Sequence, residues 1–247
     1  MKRVYLFGTC LIDNYYPEAG LDAIELLSLA GFESVFPQSQ TCCGQPPYNS
    51  GYATQSAAVA MQTVDTFLYA EYPLIVPSAS CAGMIKNHYP VLLRDHPEYE
   101  KKAIALASKT FELVDFIVDK LPYHQLTSNT PVTAALHQSC SALRETGSAK
   151  SWIKLIGHMP HVTLNLPCYA EECCGFGGTF SIKSPEVSLA MTKDKYEHLV
   201  ATKSQTVISG DCGCLINLKG YAKKNGLAFP HQHIASFAKQ QFDEANS

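Results

Sequence analysis

The triplet Cys42-Cys43-Gly44, in QTCCGQPPYNSGY (40–52), returns as Cys173-Cys174-Gly175 in ECCGFGGTFSIKSPEVSLAM (172–191). Each triplet has one cysteine far upstream and another far downstream. In the first copy 31 residues separate Cys10 from Cys42 and 37 separate Cys43 from Cys81; in the second, 32 separate Cys140 from Cys173 and 39 separate Cys174 from Cys214. Spacing matched over such long intervals marks a duplicated unit. Eight of the ten cysteines fall into these two quartets, and soft thiolates gathered in fours are the ligand set of iron-sulfur clusters or of zinc.

Outward from the cysteines, short apolar runs read as strands: Arg3 to Phe7 before Cys10, Leu74 to Val76 before Cys81, Val132 to Leu136 before Cys140 and Val207 to Ser209 before Cys214. Helical patterns lie between them, at Pro17 to Ala30, Ala53 to Tyr69 and Pro185 to Leu199. Strand alternating with helix is the order of an α/β fold with a small, mainly parallel sheet flanked by helices. In such sheets ligands collect at the carboxyl ends of strands, where these cysteines fall. The polar, proline-bracketed stretch 122–131 (PYHQLTSNTP) is the expected linker between a first domain, 1–124, and a second, 130–247. Two copies of one fold imply a pseudo-twofold pairing; one continuous sheet is the alternative.

A formal net charge of -3 and pI near 6.3, with Lys and Arg scattered, give no basic surface for nucleic acid. The apolar run in MKRVYLFGTCLID is too short for a signal peptide, and no window reaches the roughly 20 apolar residues of a membrane span. A cytoplasmic protein is expected, a compartment where clustered cysteines bind metal or do redox chemistry more often than they form disulfides.

The turn Cys174-Gly175-Phe176-Gly177-Gly178 is rich enough in glycine to form a nest of backbone N–H groups beside a cluster. Its counterpart, Cys43-Gly44-Gln45-Pro46-Pro47, is stiffer and offers fewer donors, so the two sites need not share a potential. Neither turn has the residue order of a nucleotide loop.

The stretches FGTCLIDNYYPEAG, QTCCGQPPYNSGY, PSASCAGM, HQSCSALRETG, ECCGFGGTFSIKSPEVSLAM and HIASF resemble the cysteine-rich (CCG) domains of heterodisulfide reductase and related iron-sulfur oxidoreductases, and most closely the lactate-utilisation protein A family. That resemblance runs over essentially the whole chain. It implies two tandem CCG domains that carry iron-sulfur clusters in an electron-transfer subunit. The chain would act in a three-component system oxidising L-lactate to pyruvate, beside a ferredoxin-like iron-sulfur protein and a third, small subunit. The cluster ligands would be Cys10, Cys42, Cys43 and Cys81 at one site and Cys140, Cys173, Cys174 and Cys214 at the other. The reductase motif ends in CxxC, whose first cysteine is replaced here by Ser78 and Asp211. Four cysteines per site suit a cubane [4Fe-4S] cluster rather than the reductase's noncubane form. Ser78, Asp211, His137 and the amides of Gly44 and Gly175 are then expected beside the ligands, as donors to sulfur or occasional oxygen ligands.

Bland readings stand beside these. Cys212, two positions before Cys214, reads as a neighbour rather than a ligand, and Cys168 as a small buried hydrophobe. His231 and His233 read as residues entering a helix. Arg144 and Lys183 would balance cluster charge or meet a carboxylate, with a solvated surface position as the alternative. Tyr15, Tyr16, Tyr48 and Tyr52 would shield the first site or simply pack. Three other functions remain: a zinc-bound structural or assembly module, a thiol-disulfide oxidoreductase, and an enzyme with a cysteine nucleophile activated by His137.

Overall fold

Every apolar run that ends at a lone cysteine is a strand in the computed structural model, which describes residues 1–126 and 130–243. In chain order the strands are β1 (Lys2–Leu6), β2 (Phe32–Val35), β3 (Leu74–Val76), β4 (Thr110–Glu112), β5 (Val132–Leu136), β6 (Val162–Asn165), β7 (Thr206–Ser209) and β8 (His231–His233). They form two four-stranded sheets, ordered β2-β1-β3-β4 and β6-β5-β7-β8, with every pairing parallel. Register repeats as well: Lys2 pairs with Phe32 as Val132 pairs with Val162, and both ladders run for four residues. The expected linker 122–131 lies partly outside the described residues, at 127–129.

Alternation along the central strands divides the apolar residues between two layers. Val4 and Leu6 of β1 and Ala134 and Leu136 of β5 point into one continuous core that also takes Trp152 and Phe237. Tyr5, Phe7, Leu74 and Val76 face a core belonging to the first half alone, and Ala135 and Val207 face one belonging to the second. The halves are therefore joined through their inner helices. Helix Pro17–Leu29 packs on the last helix, Ile234–Asp243, while Leu113–Ile117 packs on Ala149–Gly157. These pairs exchange places under the repeat, which is what a pseudo-twofold axis requires. Lys239 and Glu25 (2.7 Å) and Ser148 and Asp115 (2.7 Å) tie the same two seams.

Connections leave β1 toward β2 on one side and return to β3 on the other, so the carboxyl ends of β1 and β3 part to leave a crevice. Cys10 and Cys81 sit just past those two ends, Cys140 and Cys214 just past β5 and β7. Each lies in the first turn of a helical segment. Thr9 Oγ1 accepts from Ile12 N (3.2 Å) ahead of Cys10's helix, and Ser139 Oγ accepts from Ala142 N (3.1 Å) in the matching place. The segments after Cys81 and Cys140 widen into π-turns, Met84–His88 and Ala142–Thr146, and the helical turns carrying these cysteines pack across the junction.

Gly44 and Gly175 hold the triplets in left-handed backbone, at φ 77° and 82°. A Cβ on Gly44 would lie 3.3 Å from Val59 Cγ1, whereas one on Gly175 would lie 2.5 Å from the backbone oxygen of Ser188 and 2.8 Å from Thr192 Oγ1. Gly44→Ala should therefore cost about 1–2 kcal/mol of backbone strain, and Gly175→Ala about 3 kcal/mol or more because backbone must also move. Urea unfolding of the reduced chain measures both; equal losses would contradict this account of the second turn.

Candidate metal centre

Both quartets converge. In the first, Cys10 Sγ lies 3.7 Å from Cys42 Sγ and Cys43 Sγ 3.3 Å from Cys81 Sγ, with Cys42 and Cys43 also in contact. In the second, the thiols interact in the same order, Cys140 with Cys173, Cys173 with Cys174 and Cys174 with Cys214, the last two with their sulfurs within 4.8 Å of each other. All eight line one cavity of about 330 Å³ between the halves. Cys43, Cys81, Cys174 and Cys214 form its buried floor; Cys10, Cys42, Cys140 and Cys173 are half-buried.

Crowding and burial keep most of these thiols protonated. The hydrogen bond from Cys10, then that from Cys43, pulls Cys42 down to about 3, while the same contacts together with burial raise Cys10 and Cys43. In the second quartet hydrogen bonds among the thiols pull both ways, and burial leaves Cys140, Cys173, Cys174 and Cys214 all raised. One sulfur in the first quartet thus carries charge that its neighbours solvate. A soft cation bound by these thiols would displace their protons, so its uptake would strengthen as pH rises.

The triplets are pinned by their carbonyls. Tyr89 Oη donates to Cys43 O (2.8 Å) and Ser56 Oγ to Gly44 O (3.0 Å). Asn217 Nδ2 (2.9 Å) and Thr192 Oγ1 (3.0 Å) hold Cys174 O, and Ser188 Oγ holds Gly175 O (2.8 Å). Gly175, Gly177 and Gly178 all have positive φ, and Gly175 N donates to Cys173 Sγ (3.4 Å).

Ser78 and Asp211, the two departures from CxxC, meet each other across the junction. Asp211 Oδ1 accepts from Ser78 Oγ (2.6 Å), Ser80 Oγ (2.9 Å) and Ser80 N (3.1 Å), while Oδ2 accepts from Ser139 Oγ. All four residues line the cavity, yet the carboxylate oxygens are already engaged by donors. That leaves sulfur as the available donor type at the first quartet, with the ring nitrogens of His137 beside the second, a set that fits a thiophilic metal or an iron-sulfur group. The contacting sulfurs, 3.7 and 3.3 Å apart in the first quartet, stand as closely as thiolates around one tetrahedral ion, so a cluster would be held by the same cysteines only with their side chains spread into the shared cavity.

His137 directly follows β5, is fully buried, and lies with Cys174 and Cys214 so that their ligand atoms are all within 4.8 Å of one another. Burial, and to a lesser degree Lys195, push its pKa down to about 3. At the cavity mouth Tyr48 Oη and His88 Nδ1 are 3.2 Å apart, and His88 Nε2 approaches Glu145 Oε1 at 3.9 Å.

Other expectations meet the structure unevenly. Cys212 is buried, lines the cavity and has its thiol raised by burial. Cys168 is not a buried hydrophobe but exposed, because the loop leaving edge strand β6 runs over the surface. His233 Nδ1 accepts from Ala235 N (3.2 Å) at the start of the last helix, and His231 Nε2 meets Tyr16 Oη (2.9 Å). Arg144 and Lys183 are exposed and line no part of the cavity. Tyr48 lines it, whereas Tyr15 and Tyr52 face solvent. Sequence reading passed over Ser80, Ser139, Tyr89 and Lys195. Only Ser139, one place before Cys140 as Thr9 precedes Cys10, carried a signal in the repeat.

The family model described as a cysteine-rich domain, CCG, matches residues 4–86 and again 134–219. Lactate utilization protein A from Geobacillus sp. (strain WCH70) is 42% identical over 233 residues, 94% of this chain and 97% of that protein. Lactate utilization protein A 2 from Bacillus cereus (strain Q1) is 37% identical over 233 residues, 94% of this chain and 96% of that protein. A crystal structure of a hypothetical protein from Helicobacter pylori shares the fold at TM-score 0.68 and 11% identity; the match takes in 99% of this chain and 51% of the other.

Asp211→Ala strands three hydroxyls at the junction and should cost about 3 kcal/mol; a urea midpoint unchanged from wild type would remove the junction's assigned role. In the reduced, metal-free chain Cys42 and exposed Cys168 should react first with iodoacetamide at neutral pH, and Cys43 and Cys174 last. Mass spectrometry of quenched samples reads that order, and early labelling of Cys43 or Cys174 would contradict it.

Proposed function

The chain belongs to the cysteine-rich CCG-domain family and, within it, to the lactate utilization protein A group, and on that premise we propose that it is an iron-sulfur electron-transfer subunit of a multi-component lactate-oxidation system. The observation that carries this reading is the meeting of eight thiols, in two quartets, in a single cavity. Cys10, Cys42, Cys43 and Cys81 would hold one cluster and Cys140, Cys173, Cys174 and Cys214 the other, each of cubane [4Fe-4S] type. Such clusters supply one-electron transfer at potentials set by charge, hydrogen bonding and exposure.

The chain's own residues supply the rest. Carbonyl anchors on the triplets keep the adjacent sulfurs from drifting when the charge on the site changes. Asp211 and its serines hold the two halves in one relation, so the distance between sites is constant. Phe176, Tyr48 and Pro46 line the cavity and add apolar surface around the sulfurs. Asp211 and Glu145 at its wall make it a poor place for a carboxylate substrate. Lactate is therefore assigned to another component, with a ferredoxin-like iron-sulfur protein and a third, small subunit as partners. Among the described residues no helix is long and apolar enough to cross a membrane.

Anaerobic reconstitution should give a brown protein with about eight irons and eight sulfides per chain, halved by Cys42→Ser/Cys43→Ser or by Cys173→Ser/Cys174→Ser. Deletion of the gene in its host should abolish growth on L-lactate, restored by the wild-type gene and not by either double variant. A colourless protein with stoichiometric zinc, or undiminished growth, would reject the assignment.

A further inference from the structure

The duplicated sites differ at two buried positions. Phe7 and His137 occupy the same place, three residues before Cys10 and Cys140. Ser56 and Ser188 both bond the carbonyl of a triplet glycine, and seven residues beyond them stand Thr63 and Lys195. The first pocket thus has a phenyl ring and a hydroxyl where the second has an imidazole and an ammonium. All four are buried. Lys195 Nζ is satisfied by the carbonyls of Tyr169 (3.1 Å) and Ala170 (2.9 Å), close enough to Cys174, Cys214 and Cys173 for its charge to act on them. His137 is different: neither Nδ1 nor Nε2 has a hydrogen-bond partner.

A neutral imidazole always carries one N–H, and a buried N–H without an acceptor is costly. Cys174 and Cys214 offer sulfur acceptors within 4.8 Å of its ligand atom. Four thiolates already satisfy the four irons of a cubane, which leaves the imidazole the part of a donor. Hydrogen bonds to sulfur and nearby positive charge stabilise the reduced, more negative form of a cluster. Resting on the iron-sulfur reading above, we infer that His137 donates a hydrogen bond to sulfur at the second centre and, together with Lys195, makes that centre the more readily reduced of the two. Phe7 leaves the first centre without that donor.

The test is a redox titration of the anaerobically reconstituted full chain, followed by electron paramagnetic resonance with histidine labelled with 14N or 15N. Expected are two midpoint potentials, with weak histidine-nitrogen coupling on the higher-potential centre. His137→Phe, which copies the first pocket, should lower that centre's potential, erase the coupling and leave the other centre unmoved. Lys195→Met should lower the same potential and keep the coupling. The labelled wild-type chain decides by itself if the variant fails to load. No nitrogen coupling, coupling of the strength of a directly bound nitrogen, or coupling that survives His137→Phe each overturns the donor role. A loaded His137→Phe protein with both potentials unchanged overturns this inference alone, while a wild-type chain that takes up no iron and sulfide overturns the iron-sulfur reading with it.

Discussion

Two quartets of sulfurs are gathered into one cavity, and the rest of the molecule answers to that convergence. Thiols in contact repel as thiolates and lose hydration when buried, so most of them are held protonated. The convergence must therefore be enforced by the fold. Parallel strands do this through their carboxyl ends: β1 and β3, or β5 and β7, deliver cysteines to one crevice, and the triplet loop closes it. Carbonyl bonds from Tyr89, Ser56, Asn217, Thr192 and Ser188 then fix the adjacent pair where two bulky sulfurs would otherwise spread.

Duplication turns one crevice into a shared chamber. The halves meet with their sites on one cavity, and between them Ser78, Ser80, Ser139 and Asp211 form a hydrogen-bonded knot. Ser78 from one half and Asp211 from the other are unlike residues doing one job, the hydroxyl donating and the carboxylate accepting. The knot also occupies the oxygens of the aspartate on the cavity wall. Symmetry is then broken again inside the pockets, where Phe7 and Thr63 face His137 and Lys195 as counterparts. Two sites of the same ligand set thus have unequal surroundings.

Much of the fold was legible because strand, cysteine and helix recur in a fixed order. Central strands β1, β3, β5 and β7 showed as apolar runs because both their faces are buried. Edge strands β2, β4, β6 and β8 did not: FESV, TFE and VTLN are three or four residues long and mix charged or polar side chains with apolar ones, and HQH has no apolar residue at all. No period can register in so short a run. Cys168 misled for a related reason, since small apolar character says nothing about which side of an edge strand a loop will take.

The amino-acid sequence by itself determined the α/β class, the duplication and the grouping of cysteines in fours, because these depend on residue type and spacing along the chain. Only the tertiary structure decided that both quartets open into one cavity, that Ser78 binds Asp211, and that His137 and Lys195 stand over the second pocket alone. Those relations join residues from different halves or different layers. They are set by how the inner helices pack across the axis, and packing between distant segments leaves no periodic trace in a linear sequence.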